Sequence, residues 1–271
     1  GTGYIGSHTV VELQKNGYDV IIADNLVNSS LEVLDGIEKI TGIRPEFEEI
    51  DLTDGEVTRD FFARHSDIRA VIHFAALKAV GESVSKPLEY YFNNLNSLMN
   101  VLTCMREFKV PNLVFSSSCT VYGQADVLPV TEKTPRHEAE SPYGNTKVMS
   151  EDIIRDLMRV EPDMKALALR YFNPIGAHPT AFIGELPNGV PNNLIPYLTQ
   201  TAIGIREQLS VFGDDYNTPD GSPLRDYIDV VDLAQAHVVA IRRLLDGKNK
   251  KNYEFFNIGT GKALSVLEII H

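Results

Sequence analysis

Tyr143 and Lys147 stand four residues apart in S-P-Y-G-N-T-K (141–147), a spacing that places a phenol and an ammonium on one face of a helix. A phenol with an ordinary pKa near ~10 is a poor base at neutral pH. A lysine beside it favours the phenolate, so such a pair is suited to taking a proton from a substrate hydroxyl. The chain has eleven tyrosines, and this is the one with a lysine four positions later. Lysine makes up roughly 6% of ordinary chains, so chance alone supplies such a pair often enough that a solvated surface pair reads equally well. The neighbours decide. The run N-L-V-F-S-S-S (112–118) has the apolar character of a buried strand and ends in Ser116, Ser117 and Ser118. In open α/β sheets ligands bind at that carboxyl edge, where a Ser118 hydroxyl can hold a substrate oxygen while the proton moves. A lone strand-end serine is an ordinary loop residue. With Tyr143 and Lys147 opening the next helix, it completes a proton-transfer trio.

A second cluster opens the chain. In G-T-G-Y-I-G, Gly1, Gly3 and Gly6 precede an amphipathic helix, with Tyr4 and Ile5 inside the same turn. Glycines there let the backbone approach a pyrophosphate, whose charge sits at the helix N-terminus. A glycine turn is a weak signal by itself, but Asp24 ends the next strand near the spacing expected for a carboxylate on the adenosine ribose. That carboxylate would repel the 2′-phosphate of NADP, and Asn25-Leu26 offers no arginine to receive it, so NAD is the expected cofactor. Read blandly, Asp24 is a turn residue. Asp51 and Leu52, at the end of a further strand in E-I-D-L, are candidates for the adenine end.

These residues need a scaffold, and the chain alternates strand and helix patterns. Y-D-V-I-I-A-D (18–24), R-A-V-I-H-F-A (69–75), 112–118, K-A-L-A-L-R-Y-F (165–172) and Y-E-F-F-N-I-G (253–259) are continuous apolar runs, as parallel strands covered on both faces are. Helical patterns fall near 5–16, 30–41, 54–65, 88–108 and 142–160. The alternation predicts an α/β fold with a doubly wound, Rossmann-like parallel sheet. From about residue 173, proline, glycine and asparagine crowd through 173–193 and 213–223, which reads as long functional loops of a smaller lobe. The expected division is a NAD-binding domain over 1–172 and a substrate lobe over 173–271, with about 227–259 returning to the first. The chain opens inside a glycine turn and stops on L-S-V-L-E-I-I-H, so segments of the fold are expected beyond both ends.

Composition narrows the partners. The 271 residues are 43% hydrophobic and 23% charged, as a soluble globular protein is, and no run approaches the ~18 apolar residues of a membrane span. A net charge of −12 disfavours nucleic acid, whose phosphates require a basic surface. Two cysteines, Cys104 and Cys119, make neither a disulfide ladder nor metal-ligand spacing, and the seven histidines are scattered. No metal is expected. A reduced cytoplasmic enzyme is.

With these motifs in hand, the chain resembles the extended short-chain dehydrogenase/reductase family, and within it the branch that epimerises nucleotide sugars. The resemblance runs along GYIGSHTVVEL, ADNLVNSS, HFAALKAVGESVSKPLEYY, FSSSCTVYG, SPYGNTK, LRYFNPIGAHP, PNNLIPY, VFGDDYNTPDGSPLRDYIDVVDLA and NIGTGKALSV. It implies reversible inversion at C4 of a UDP-hexose, UDP-galactose to UDP-glucose, on tightly held NAD. Tyr143 would take the 4-hydroxyl proton as hydride leaves C4, and the 4-keto sugar would turn over in the pocket before the hydride returns. Retention then falls on the nucleotide. Asn173, Asn192, Asn193, Leu194 and Phe212 match positions that hold the UDP-sugar, and Arg225 would pair with its diphosphate, for which a guanidinium fork is well shaped. Read blandly, these are a helix cap, a core aromatic and a surface charge. Phe74, Ala75, Lys78, Asn93, Ser116 and Tyr171 match cofactor-lining positions, together with Tyr143 and Lys147. A homodimer through the helices at 88–108 and 142–160 is also implied.

The sequence departs from the family at several points. Ala76 stands where many members have glycine, Asp229 where histidine is usual, and the family's first strand and C-terminal segment have no counterpart here. Rival readings on the same fold are nucleotide-sugar 4,6-dehydratases and UDP-glucuronate decarboxylases. Dehydratases carry an Asp-Glu pair after the strand-end hydroxyl for acid–base elimination, where this chain has Cys119 and Thr120. A non-catalytic NAD-sensing protein is the reading from another class, and it has no use for a proton carrier.

Overall fold

In the computed structural model, which describes residues 1–271, helix and strand alternate from the start. The order is α1 (Tyr4–Lys15), β1 (Ile21–Asp24), α2 (Glu32–Thr41), β2 (Glu46–Glu49), α3 (Gly55–Arg64), β3 (Ala70–His73), α4 (Val80–Ser85), α5 (Pro87–Glu107), β4 (Asn112–Ser118), α6 (Pro142–Val160) and β5 (Lys165–Tyr171). Then come β6 (Asn173–Ile175), α7 (Leu194–Ala202), β7 (Leu224–Asp229), α8 (Val230–Leu245), β8 (Tyr253–Ile258), β9 (Ala263–Ser265) and α9 (Val266–Ile270). The helix expected over 88–108 is preceded by a separate one. Pro87 starts α5 at its first position and disfavours helical geometry at Lys86, so α4 ends there. No helix is long and apolar enough to cross a membrane.

The parallel strands form two hydrogen-bonded groups rather than one sheet. One has the order β3-β4-β5-β8, the other is the parallel pair β1-β2, and no strand of the chain is bonded between them. A small third sheet joins β6 to β7 in parallel and β7 to β9 antiparallel. β4 is buried at every position, and its side chains alternate between two covered faces. Leu113 and Phe115 join Phe61, Leu98, Met105, Ile154 and Met158 of α3, α5 and α6. Val114 joins Leu167, Leu169 and the α8 residues Leu233, Ile241 and Leu244 on the other side. Helices on both faces explain why these strands read as continuous apolar runs.

Two buried histidines brace this core. The Nε2 atoms of His73 and His237 have no hydrogen-bond partner, while Nδ1 of His237 lies 2.9 Å from the Leu233 carbonyl oxygen. Burial pulls His73 down to about 3, helped by the Lys147 charge, and pulls His237 down to about 4. Their folded values lie below the unfolded value near ~6.5, so between that pH and about 4 the unfolded chain binds protons that the native state does not. Stability therefore falls with pH across this window. Urea unfolding between pH 7 and 4 should show the decline, and His237→Phe should make it shallower by about one proton, or ~1.4 kcal/mol per pH unit. Equal slopes in the two proteins would show that His237 is not held neutral.

Candidate active site

The start of α6 is set by its first two residues. Ser141 accepts a hydrogen bond at Oγ from the Gly144 N–H at 3.1 Å, and Pro142 occupies the first helical position. Tyr143 is thereby held at the mouth of the helix, with Lys147 one turn further in. Lys147 is only 5% exposed, and its Nζ donates to the Ser116 carbonyl oxygen at 2.7 Å. The ammonium also lies 5.0 Å from the Phe115 ring centre and 5.8 Å from that of Tyr143. Burial pulls it down to about 8, against the pull of Glu151. Ser118, 7% exposed, ends β4, and its Oγ accepts from the Thr120 N–H at 3.2 Å.

Burial pushes Tyr143 well above its ordinary value, with the nearby Ser118 hydroxyl pulling the other way. The ammonium is hydrogen-bonded to a backbone carbonyl beneath the phenol. Lys147 by itself thus does not offset the burial of the phenol, and the positive nicotinamide ring is the second charge expected to favour the phenolate.

The glycine turn has the shape an anionic cofactor needs. Gly3 caps α1 with no side-chain hydrogen bond, no acidic residue stands in the first turn, and a Cβ on Gly3 would meet nothing within 4 Å. A Cβ on Gly6 would lie 2.6 Å from the Gly1 carbonyl oxygen, so Gly6 lets the helix seat against the turn. Open space beside free helix N–H groups fits a pyrophosphate. Asp24 ends β1 as expected. Its carboxyl accepts from the N–H groups of Leu26 at 2.9 Å and Thr2 at 3.1 Å. Tyr4 donates from its hydroxyl to the Gly176 carbonyl oxygen at 2.6 Å, and Ile5 packs into the α8 side of the core. Asn25 accepts from the Val27 N–H at 3.2 Å. Asp51 lies beyond the end of β2 rather than in it, accepting from the N–H and hydroxyl of Thr53. The Leu52 carbonyl takes the Asn100 amide at 2.9 Å.

The loop after β3 carries Phe74, Ala75 and Lys78. Phe74 rests 4.9 Å from the His237 ring, and Leu77 exchanges two hydrogen bonds with Asn94, at 2.8 and 3.0 Å. Asn93 donates to the same Asn94 at 3.0 Å. The Ser116 and Tyr171 hydroxyls are hydrogen-bonded to each other. Burial pushes Tyr171 up to about 12. Phe74, Ser118 and Tyr171 thus stand at or just past the carboxyl ends of β3, β4 and β5, and β4 and β5 are paired through Ser118 and Tyr171.

Across the crevice, β6 and β7 bring Asn173 opposite Tyr227, two residues from Arg225. Arg225 is exposed, its guanidinium bonded to the Leu224 carbonyl at 2.7 Å, and its charge reaches Cys119, the residue after Ser118. Asn193 stands at the cap of α7, with Leu194 as the first helical residue, yet it does not cap: its amide donates to Glu185 at 2.6 Å. Glu185 also lies 3.5 Å from Lys78. Asn192 is exposed, and Phe212 is 84% exposed rather than in the core. Asp229 caps α8 by accepting from the Val231 N–H at 2.7 Å.

Several residues of this site escape the sequence reading. Glu185 joins Lys78 to Asn193, and nothing near it in sequence marks it. Asn94 is hidden beside Asn93, with only helical phase separating the buried amide from the half-exposed one. Glu151 extends the Tyr143–Lys147 series by one more helical turn, a spacing visible in the sequence.

Residues 1–259 match the model of the NAD dependent epimerase/dehydratase family. The chain is 52% identical over 270 residues to a UDP-glucose 4-epimerase of Bacillus subtilis, covering 100% of this chain and 78% of that protein. It is 50% identical over 276 residues to the UDP-glucose 4-epimerase of Mus musculus, again over 100% of this chain and 78% of the relative. Among solved structures, a UDP-glucose 4-epimerase of Bifidobacterium longum in complex with NAD+ and UDP superposes with a TM-score of 0.94 at 47% identity, covering 100% of this chain and 79% of that one.

Proposed function

The chain belongs to the NAD dependent epimerase/dehydratase family, and on that premise we propose that its crevice interconverts UDP-galactose and UDP-glucose by reversible epimerisation at C4. It is an NAD-dependent isomerase of nucleotide sugars. The observation that carries the reading is the meeting of Ser118, Tyr143 and Lys147 at the carboxyl edge of β4.

Gly3 leaves room for the pyrophosphate, Gly6 lets the helix seat against the turn, Asp24 takes the adenosine ribose, and Phe74, Ala75, Lys78, Asn93 and Tyr171 line the nicotinamide end. Bound NAD supplies the acceptor for the C4 hydride and returns it. Tyr143 Oη takes the 4-hydroxyl proton and later gives it back, while Ser118 Oγ holds O4 in place. Lys147 carries positive charge beneath the phenol. The 4-keto sugar must present its other face, so the ring is gripped loosely and the nucleotide tightly. Asn173, Asn192, Asn193, Leu194 and Phe212 hold the uridine and sugar ends, and Arg225 the diphosphate. Residues 1–172 form the cofactor domain and 173–271 the substrate lobe, with about 227–259 returning to the first, a division supported by the packing of α8 and β8 on the main sheet.

Elimination chemistry has no support at the strand end. Cys119 occupies the first position of the dehydratase acid–base pair, and burial pushes its thiol up to about 11, out of range for acid–base work near neutrality. The test is to incubate the protein with UDP-galactose, without added NAD, and separate the products by chromatography. UDP-glucose is expected. A 4-keto-6-deoxy sugar would make it a dehydratase, and no product a sensor.

Arg225→Ala should weaken UDP about 10- to 100-fold by calorimetry, the range for losing a charged hydrogen bond, with no loss of fold because the side chain is exposed. Unchanged affinity would remove Arg225 from the diphosphate site. The chain acts as a cytoplasmic homodimer. Support for the dimer comes from Leu88, Phe92 and Met99 of α5 and Met149 and Val160 of α6, all exposed apolar side chains on two helices that pack together. Sedimentation at the monomer mass would refute it.

A further inference from the structure

Behind Lys147 lies a buried ion pair that the proposed chemistry does not use. Glu151 follows Lys147 by one turn on the same face of α6 and is 2% exposed. Its Oε1 accepts from Ser117 Oγ at 2.6 Å and from Arg170 Nε at 2.9 Å, and its Oε2 accepts from Arg170 Nη2 at 2.6 Å. Arg170, 4% exposed, is fixed in turn. Its Nη1 donates to Tyr122 Oη at 3.0 Å, that hydroxyl donates to Asn257 Oδ1 at 2.6 Å, and the guanidinium lies 3.9 Å from the Phe255 ring centre. The carboxylate is locked by three donors on two strands.

The charged groups behind Lys147 are Glu151, its partner Arg170, and Arg136, whose Nη1 lies 3.8 Å from Glu151 Oε2; the other titratable neighbours are neutral. His73 on β3 is kept neutral by burial, as is His237 on α8. Tyr143 on α6 and Tyr171 on β5 are held protonated by burial, and the direct partner of the ammonium is a neutral carbonyl. Burial works to lower Lys147, and Glu151, one turn behind it on the same buried face, is the charged group that opposes this. A charge shielded from water acts more strongly than one on the surface.

We propose that Glu151 is a positioning residue for the reaction: anchored by Arg170 and Ser117, its carboxylate keeps Lys147 an ammonium under Tyr143 without touching substrate or cofactor. The inference rests on the proton-carrier reading of Tyr143 and Lys147. A purely structural ion pair would change stability and leave the lysine's titration where it is, so the titration is the measurement to make.

The experiment labels the lysine ε-carbons with 13C and follows their NMR shifts with pH, assigning Lys147 from the signal lost in Lys147→Arg. In Glu151→Gln the Lys147 midpoint should fall from about 8 by about one pH unit or more, and the alkaline limb of kcat should move down with it. KM for UDP-galactose should stay within about twofold, because Glu151 does not reach the nucleotide. Glu151→Gln leaves a buried guanidinium without a counter-charge and is prone to unfold. The paired variant Glu151→Leu/Arg170→Met leaves no buried guanidinium unpaired and still removes the carboxylate, so a fall in the same direction is expected, smaller because the neighbouring cation goes with it. An unchanged Lys147 midpoint in either folded variant overturns the proposal. Failure of the parent protein to epimerise UDP-galactose would instead overturn the functional reading, while the NMR titration still decides the role of Glu151.

Discussion

Tyr143→Phe keeps the fold, still binds NAD, and epimerises UDP-galactose about 100- to 10,000-fold more slowly than the parent protein, the range for removing a general acid–base group. The phenyl ring fills the same space at the mouth of α6, so nothing but the hydroxyl is lost. Lys147 by itself does not offset the burial of that hydroxyl, and the oxidised nicotinamide ring is the second positive charge expected to favour the phenolate. UDP affinity should hold within about threefold, since the nucleotide contacts we propose, Asn193, Phe212 and Arg225, do not involve the phenol. Steady-state turnover with a coupled UDP-glucose assay reads the loss directly. Near-parental turnover would mean that another group moves the proton, and the assignment of Tyr143 would fall.

The second large effect belongs to the turn. Gly3→Val should weaken NAD by about a hundredfold or more while leaving unfolding free energy within ~1 kcal/mol of the parent. Gly3 has φ −67° and ψ 175°, a region open to any residue, and its missing Cβ would meet nothing within 4 Å. The folded chain therefore accepts valine easily. The cost falls on a ligand that needs that space: displacing a pyrophosphate from two or more charge-assisted N–H contacts forfeits about 3 kcal/mol or more. Gly6 does not allow the same separation, because a methyl there would strike the Gly1 backbone and disturb the turn itself. Calorimetry with NAD and urea unfolding, on one preparation, distinguish the two costs. Parental affinity in a folded Gly3→Val protein would move the pyrophosphate elsewhere.

What the sequence makes legible follows physical rules of limited range. β4 is read to the residue because a strand covered on both faces must be apolar throughout, and α6 because Ser141 and Pro142 announce its start. The helix after Pro87 is read nearly in place, but α4 before it is not, because six residues are too few to show a helical period. Placement across the fold is another matter. Asn193 has every attribute of a helix cap, and only the tertiary position of Glu185 draws its amide away. The spacing of Tyr143 and Lys147 shows that they are neighbours but not how deeply they are buried, and burial sets the direction of the phenol's acidity. Arg170 and Glu151 meet only because β5 pairs with β4 beneath α6, a contact that no local pattern encodes.

The triplet at the end of β4 holds a warning for anyone who edits this chain. Ser116 offers its hydroxyl to Tyr171 and its carbonyl to Lys147, Ser117 turns to Glu151, and Ser118 stands by the phenol. Three identical letters thus spell three unlike assignments, distributed by the two-residue repeat of the strand. Deleting one residue anywhere in 112–117 would leave a serine in nearly every place and an almost unchanged composition. It would also exchange the two faces, turning the hydroxyl meant for the sugar toward a buried carboxylate. An alignment that slides by one position across this triplet scores nearly as well as the true one, and describes a protein with no working crevice.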